Sequence, residues 1–466
     1  MSEGQIRRLG PALDRFLKMF LYCCSYTQTF GHLVTYCRGL LSDLPRKSVE
    51  PIALASGTPV RTLQEFLRDH SWDRHQIIDV AQAYAADLLD SLPDDGLGTI
   101  GLIDETGTPK KGDKTPGVQR QWCGRLGKVD NCVVTVHLGV KKGTFRTLLG
   151  GQLFLPEQWS EDRDRCRAAG IPDSVVHRPK WQIALEEIDT AVANGVKLDW
   201  LTFDEGYGNT AEFLAGVDER EIPFVGEVPR TLACRLANGN EGPAGKDPSA
   251  PAERVLVQAL AGQGVAVRVP RKDLADEVWQ AVELPVWLRQ GKGWSLRSYR
   301  LFVAYNTKTT ELKYFVSNAK AEVELATLVR VAFTRAAIEQ CFEVQKGELG
   351  FGHYEGRNYN GLMRHMALCC VAGLFAAERT AAGEKRGLAL TIKQLLRGLR
   401  ALCAAWLRRR RGVGGIRAES LTIEYHQRRN EAARRSHKKR FGLPSFWIVP
   451  LSRMSFFPPE LRPVAL

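Results

Sequence analysis

Apolar residues recur at two different periods along this chain, and the change of period divides it. Up to about residue 95 the spacing is helical, as in Leu13–Leu21 and Ile77–Leu89. Between those runs, Ala53–Leu67 holds a short helical stretch, Gly57, and a second stretch opened by Thr58 and Pro59. Thr58 suits an N-cap and Pro59 a first helical position. A helix, a glycine turn and a second helix bearing Arg61 and Gln64 fit a helix-turn-helix, and fit an ordinary helical hairpin equally well. Ser91–Gly96 reads as the linker that closes a helical N-terminal domain, 1–95.

From about residue 97 the pattern is that of strands. Gly98–Asp104, Cys132–Val140 and Phe145–Phe154 are β-like, Lys180–Asn194 is helical, and Leu198–Asp204 and Ile222–Val228 are again β-like. The order β-β-β-α-β-(α)-β predicts an α/β, ribonuclease-H-like core. Three strands form an antiparallel meander and the fourth returns parallel beside the first. The first part of that core is expected over 96–230. Residues 231–320 alternate short apolar runs (Val255–Val257, Val265–Val269, Leu301–Tyr305, Tyr314–Val316) with turns, among them Asn238–Pro243, and predict a β-rich insertion. Helical spacing resumes at Ala321–Lys346 and Leu362–Arg379, so the core's second part is placed at 321–380 and a basic helical region at 381–466.

Charge sharpens this picture. The chain carries 65 Lys+Arg against 52 Asp+Glu, and the segment Lys393–Arg440 alone holds 15 basic and 3 acidic residues. Nearly the whole net charge of +13 therefore sits near the C-terminus. Arg408, Arg409, Arg410 and Arg411 form its densest run, a candidate phosphate-binding surface as against a merely solvated face. The 11 cysteines, with no C-x-x-C, exclude a zinc site of that type and point to a reducing cytoplasm. The apolar patch Phe16–Tyr26 is too short to span a membrane and reads as a core helix.

The candidate chemistry lies in three acids. Asp104 and Asp204 each close a buried strand, where a carboxylate can reach a metal ion. Glu339 lies on a helix-like stretch with Arg335 and Lys346 at −4 and +7, and in a continuous helix the three share a face. The bland alternative is a surface ion-pair ladder. Three carboxylates can hold two Mg²⁺ ions (with Mn²⁺ as a substitute), and such a pair about 3.5–4 Å apart clamps both oxygens of a phosphoryl displacement. Arg335 and Lys346 would then grip phosphates beside the scissile bond. Lys110 and Lys111 could track the strand or simply solvate a turn. Glu105 and Glu205 are expected on the opposite side by strand alternation. Glu343, Glu348 and Glu355 are the rivals of Glu339. Trp287 and Trp294 fall in the insertion, where core packing competes with stacking on an extruded base. Asp113 stands where a phosphate loop needs Lys, which excludes nucleotide binding at Gly107–Thr115.

Arg335-x₃-Glu339-x₆-Lys346 resembles the R-E-K part of the Y-R-E-K signature of bacterial insertion-sequence transposases of the DDE type. Ile103–Gly107 and Phe203–Gly208 resemble their first and second aspartate motifs. Arg38–Leu44, Gln121–Lys128, Lys346–Gly350 and His353–Glu355 are similar to segments of the insertion-sequence-701 family, so the likeness spans most of residues 30–370. The resemblance implies Mg²⁺-dependent cut-and-paste transposition. The partners it implies are double-stranded DNA, both terminal inverted repeats and target, and a homodimer on paired ends. The setting would be the bacterial cytoplasm and nucleoid. A catalytically silent, domesticated DNA-binding relative is the alternative, and a structure-specific nuclease without strand transfer is a second. One departure is clear: Ala332, followed by Phe333, stands at the signature's Tyr.

Overall fold

The computed structural model describes residues 1–237, 250–257, 265–269, 277–306, 308–384, 390–412 and 415–441. The chain divides into two compact units, 1–407 and 408–466. The expected Asn238–Pro243 loop lies outside the described residues.

The N-terminal part is helical: α1 (Glu3–Lys18), α2 (Thr27–Leu40), α3 (Val49–Ser56), α4 (Val60–Arg68) and α5 (Arg74–Ser91). Helix α1 starts with a capping box, Ser2 and Gln5 satisfying each other's backbone N–H, and buries Leu9, Leu13, Phe16 and Leu17 on one stripe. It ends at Lys18, so the apolar patch after it is shared with a 3₁₀ turn, Leu21–Cys23, and is not one core helix. Gly57, at φ 69°, ends α3 and turns the chain into α4, as the sequence suggested. The start of α4 differs from expectation. Pro59 is the N-cap and makes no side-chain cap, while the Thr58 hydroxyl bonds Ser56 instead. Leu63, Phe66 and Leu67 anchor α4, and Arg61 and Gln64 face solvent.

Strands β1 (Ile100–Pro109), β2 (Gln119–Cys123), β3 (Lys128–Lys142) and β4 (Phe145–Leu153) follow, with β2 an edge strand that the sequence pattern did not reveal. Short helices α6 (Glu157–Glu161) and α7 (Arg163–Ala168) lead to α8 (Lys180–Ala193), then β5 (Trp200–Phe203), α9 (Glu205–Gly208), α10 (Ala211–Glu219) and β6 (Phe224–Val228). β1–β3 and β3–β4 pair antiparallel, whereas β1–β5 and β5–β6 pair parallel. The strand order β4-β3-β1-β5-β6 is the expected meander with a parallel return. Burial on both faces explains the unbroken apolar run of β1, whose Ile100, Leu102 and Ile103 are fully covered.

The region read as a β-rich insertion is rich in strands, and these join the central sheet. It holds β7 (Ala233–Leu236), β8 (Ala250–Pro251), α11 (Ala252–Val257), β9 (Val265–Val269), β10 (Glu277–Gln290), β11 (Gly293–Trp294), β12 (Tyr299–Asn306) and β13 (Leu312–Ser317). β13 pairs antiparallel with β6, so these strands extend the same central sheet. Val255–Val257 are helical, because Ala252 and Val255 pack as one face of α11.

The expected single helix over 321–346 is two, α12 (Leu325–Thr334) and α13 (Ala336–Gly347), meeting at Arg335. The core closes with α14 (Tyr359–Glu384), whose apolar surface is covered by α2, α4, α5 and β4. Among the described residues it is the one helix long and apolar enough to cross a membrane, but most of it is buried within this fold. Helix α15 (Ile392–Arg411) buries Leu395, Leu396, Leu399 and Cys403 and ends in the four arginines. In the second unit, α16 (Gly415–Phe441) follows.

Candidate active site

Parallel pairing brings the two aspartates together. Ile103 is in register with Phe203, so the next residue of each strand, Asp104 and Asp204, emerges at the same carboxyl edge of the sheet. Crevices at that edge of parallel strands are where such sheets bind ligands. Asp204 leaves its strand to cap α9, accepting from the backbone N–H of Gly206 (3.0 Å) and Tyr207 (3.4 Å). Asp104 accepts from the N–H of Glu105 at 2.7 Å.

The two carboxylates disturb each other. Burial, followed by the charge of Asp204, pushes the Asp104 carboxyl up to about 7, with Arg335 opposing the rise. Burial and the charge of Glu105 raise Asp204 as well. Glu105 adds its charge to the aspartate pair and is itself tied to Lys180, whereas Asp104 faces Arg335.

Arg335 joins the third acid to this pair. Its guanidinium lies 3.0 Å from Glu339, 3.7 Å from Asp104 and 3.8 Å from Glu227. In the free chain Arg335 bridges carboxylates, placed there by the helix break that puts it at the N-terminus of α13. Glu339 sits in the first turn of that helix, with its side chain 59% exposed. Among the described residues no three His, Cys, Asp or Glu side chains stand close enough to hold one ion. The donors themselves suit a hard cation: all are carboxylate oxygens, and beside burial, the larger cause, the charge of Asp204 raises Asp104 more than Arg335 lowers it.

Glu227, missed by the sequence reading, belongs to this cluster through β6 and also pairs with Lys313 at 2.8 Å. Its membership depends on β6 lying beside β5, a pairing that the order of residues along the chain does not show. The rivals of Glu339 are engaged elsewhere: Glu343 with Lys393, Glu348 with Arg400, and Glu355 with Arg46. Glu205 is exposed on α9.

Two lysines of the candidate set bond within the fold in the free chain. Lys346 donates to the Thr106 hydroxyl and to the Gly107 carbonyl (3.2 Å), and burial lowers its pKa. Lys110 donates to the carbonyls of Gly352 and Tyr354, and burial brings its pKa down to about 8. Both lie in the fold's seams, because a chain crossing just behind β1 leaves carbonyls that need donors. Lys111 is exposed, and so are Arg408, Arg409 and Arg410; Arg411 donates to Thr422. Ala332 is buried, and Phe333 packs on Trp279 and Phe315, so no hydroxyl replaces the signature's Tyr there. Trp294 lies between Arg235 and Arg289, at 4.8 and 5.4 Å from its ring centre, and Trp287 is half-buried.

Two aspartates thus meet on adjacent parallel strands, with a helical glutamate nearby. A family model described as DDE superfamily endonuclease matches residues 20–284, and the chain belongs to that superfamily. It is also similar to the "Probable transposase for insertion sequence element IS701" of Microchaete diplosiphon, 31% identical over 191 residues. That similarity covers 40% of this chain and 46% of the relative, so the chain matches about half of the relative's length.

Proposed function

We propose that this chain is a DNA transposase with a ribonuclease-H-like core, and that Asp104, Asp204 and Glu339 are its catalytic and metal-binding acids. The observation that carries the reading is the meeting of Asp104 and Asp204 at one sheet edge with Glu339 one guanidinium away. Divalent ions, Mg²⁺ or Mn²⁺, would be held by these carboxylates; when bound they supply an activated water and a stabilised leaving oxygen.

This chain's own residues would do the rest. Asp104 and Asp204, both raised by burial in the free chain, would be deprotonated when they hold cations, and they orient the cleft. Arg335, now balancing three carboxylates, is free to turn toward a phosphate once cations neutralise its partners. In-line displacement at a phosphodiester needs no covalent enzyme intermediate, so no Ser or Cys nucleophile is required. The freed 3′-hydroxyl would then attack target DNA in the same cleft. The substrates on this reading are the transposon's terminal inverted repeats and a target duplex. Two copies of the chain would act on paired ends in the bacterial cytoplasm and nucleoid.

The experiment is cleavage of supercoiled plasmid carrying the chain's gene with its native flanking DNA. Mg²⁺-dependent nicking at the flanks that Asp104→Ala abolishes is expected. Equal behaviour of both proteins removes the catalytic claim and favours a silent DNA-binding relative. Joining of a 3′-hydroxyl end to a second plasmid separates a transposase from a nuclease that only cuts.

A further inference from the structure

The segment Gln121–Lys128 has no role in the site described above, yet it forms a projecting arm beside it. β2 runs along the sheet edge, Gly124–Leu126 makes a 3₁₀ turn, and the start of β3 returns. Trp122 and Val129 are directly paired across the two strands, so their side chains share a face. Arg120, two residues from Trp122, lies on that face as well. The opposite face carries Cys123 and Cys132, both buried. The outer face is open: Trp122 is 64% exposed, Val129 52% and Leu126, at the tip, 42%.

The arm is fixed to the catalytic strand. Cys123 Sγ lies 3.2 Å from where a Cβ on Gly107 would stand, so the two backbones are in close approach. Gly107 is three residues beyond Asp104, and its carbonyl receives Lys346. Arg125 reaches toward the same place, its Nη1 3.9 Å from the Cβ position of Gly352. It also repels Lys346 and, with Arg46, Lys47 and Lys110, His353. Two exposed cations, Arg120 and Arg125, therefore stand beside an exposed aromatic. Nucleic acid is the partner of matching chemistry: phosphates for the cations, a base face for the indole.

We propose that the arm holds unpaired nucleotides next to the scissile phosphate, with Trp122 stacking on a base against Val129 and Arg125 on the adjoining phosphate. The inference rests on the transposase reading and adds to it a contact for single-stranded DNA.

The test is fluorescence anisotropy in EDTA with the full chain and two probes, a blunt duplex of the native end sequence and the same duplex with a short single-stranded extension. The wild type should bind the extended probe more tightly. Trp122→Ala should lose that preference by about 5- to 150-fold, the range found for one base–aromatic stack. Trp122→Phe should keep most of it, and blunt-duplex affinity should stay within about twofold. Because Trp122 is exposed, the Ala variant should show an unchanged melting temperature. Retention of the preference in Trp122→Ala overturns the inference, as does a wild type that binds both probes alike. A dimer that Trp122→Ala or Val129→Lys splits, with the preference intact, also overturns it and makes this edge a protein interface. A wild type that binds neither probe overturns the inference together with the reading beneath it.

Discussion

Replacing Asp104 by Asn should stabilise the metal-free protein above neutral pH. The folded protein raises the Asp104 carboxyl from an ordinary value of 3.8 to about 7, chiefly by burial and then by the charge of Asp204. A folded-state pKa above the unfolded one means that the folded protein holds the proton more tightly. The contribution is then fully favourable below about 4 and is lost as pH rises through about 7. At pH 8 the wild type bears the whole cost, about 4 kcal/mol at ~1.4 kcal/mol per tenfold change. Asn keeps the shape without the charge but brings an amide N–H that must find an acceptor, an offset of about 1–2 kcal/mol. A net gain of about 2–3 kcal/mol at pH 8 follows, falling through zero at pH ~5 and becoming a loss of about 1 kcal/mol at pH ~4. Urea denaturation in EDTA across this range measures it. Mg²⁺ should then raise the stability of the wild type and leave Asp104→Asn unchanged, because a ligand stabilises only the state that binds it. An Asn variant less stable than wild type at pH 8, or a gain that does not vary with pH, would mean that Asp104 is not a strained, buried acid in the free protein.

Arg335→Ala should destabilise the protein by about 1–3 kcal/mol at low ionic strength, since it leaves Asp104, Glu227 and Glu339 without their common cation. Mg²⁺ should restore part of that loss in a melting experiment; no recovery would argue against a shared ion site. Lys110→Met should cost about 2 kcal/mol in denaturation by orphaning the Gly352 and Tyr354 carbonyls, while the salt dependence of DNA binding stays as in wild type. Neutralising Arg408–Arg411 should leave stability alone and lower the slope of log affinity against log salt, by about 0.9 for each phosphate that is no longer neutralised. An unchanged slope would assign those arginines another purpose.

The aspartates were legible because both the apolar run and the acid that ends it lie in one continuous stretch of sequence. Thr99–Asp104 and Trp200–Asp204 each announce a strand and its exposed end. The meander order followed from the same runs. Glu227 was hidden, because its membership depends on β6 lying beside β5, a pairing made across the sheet and not along the chain. β2 was hidden for a different reason. An edge strand with one exposed face, reading Gln-Arg-Gln-Trp-Cys, has too few apolar residues to declare itself. That the strands of 231–320 prolong the central sheet was not legible, because it rests on the β6–β13 pairing and not on any run along the chain. The roles of Lys110 and Lys346 could not be read at all. A lysine that tracks phosphates and one that caps buried carbonyls look the same until the chain folds around them.

The proposed activity requires Asp104, Asp204 and Glu339 to hold divalent cations jointly, and paramagnetic resonance of Mn²⁺ titrated into the full chain is the sharpest probe of that. The wild type should take up two ions with the spectral broadening of a coupled pair. Asp104→Asn should lose both, and Glu339→Gln should leave one uncoupled ion. Uptake that none of these substitutions alters, or the absence of any coupled pair in the wild type with end DNA bound, would be incompatible with a shared metal site.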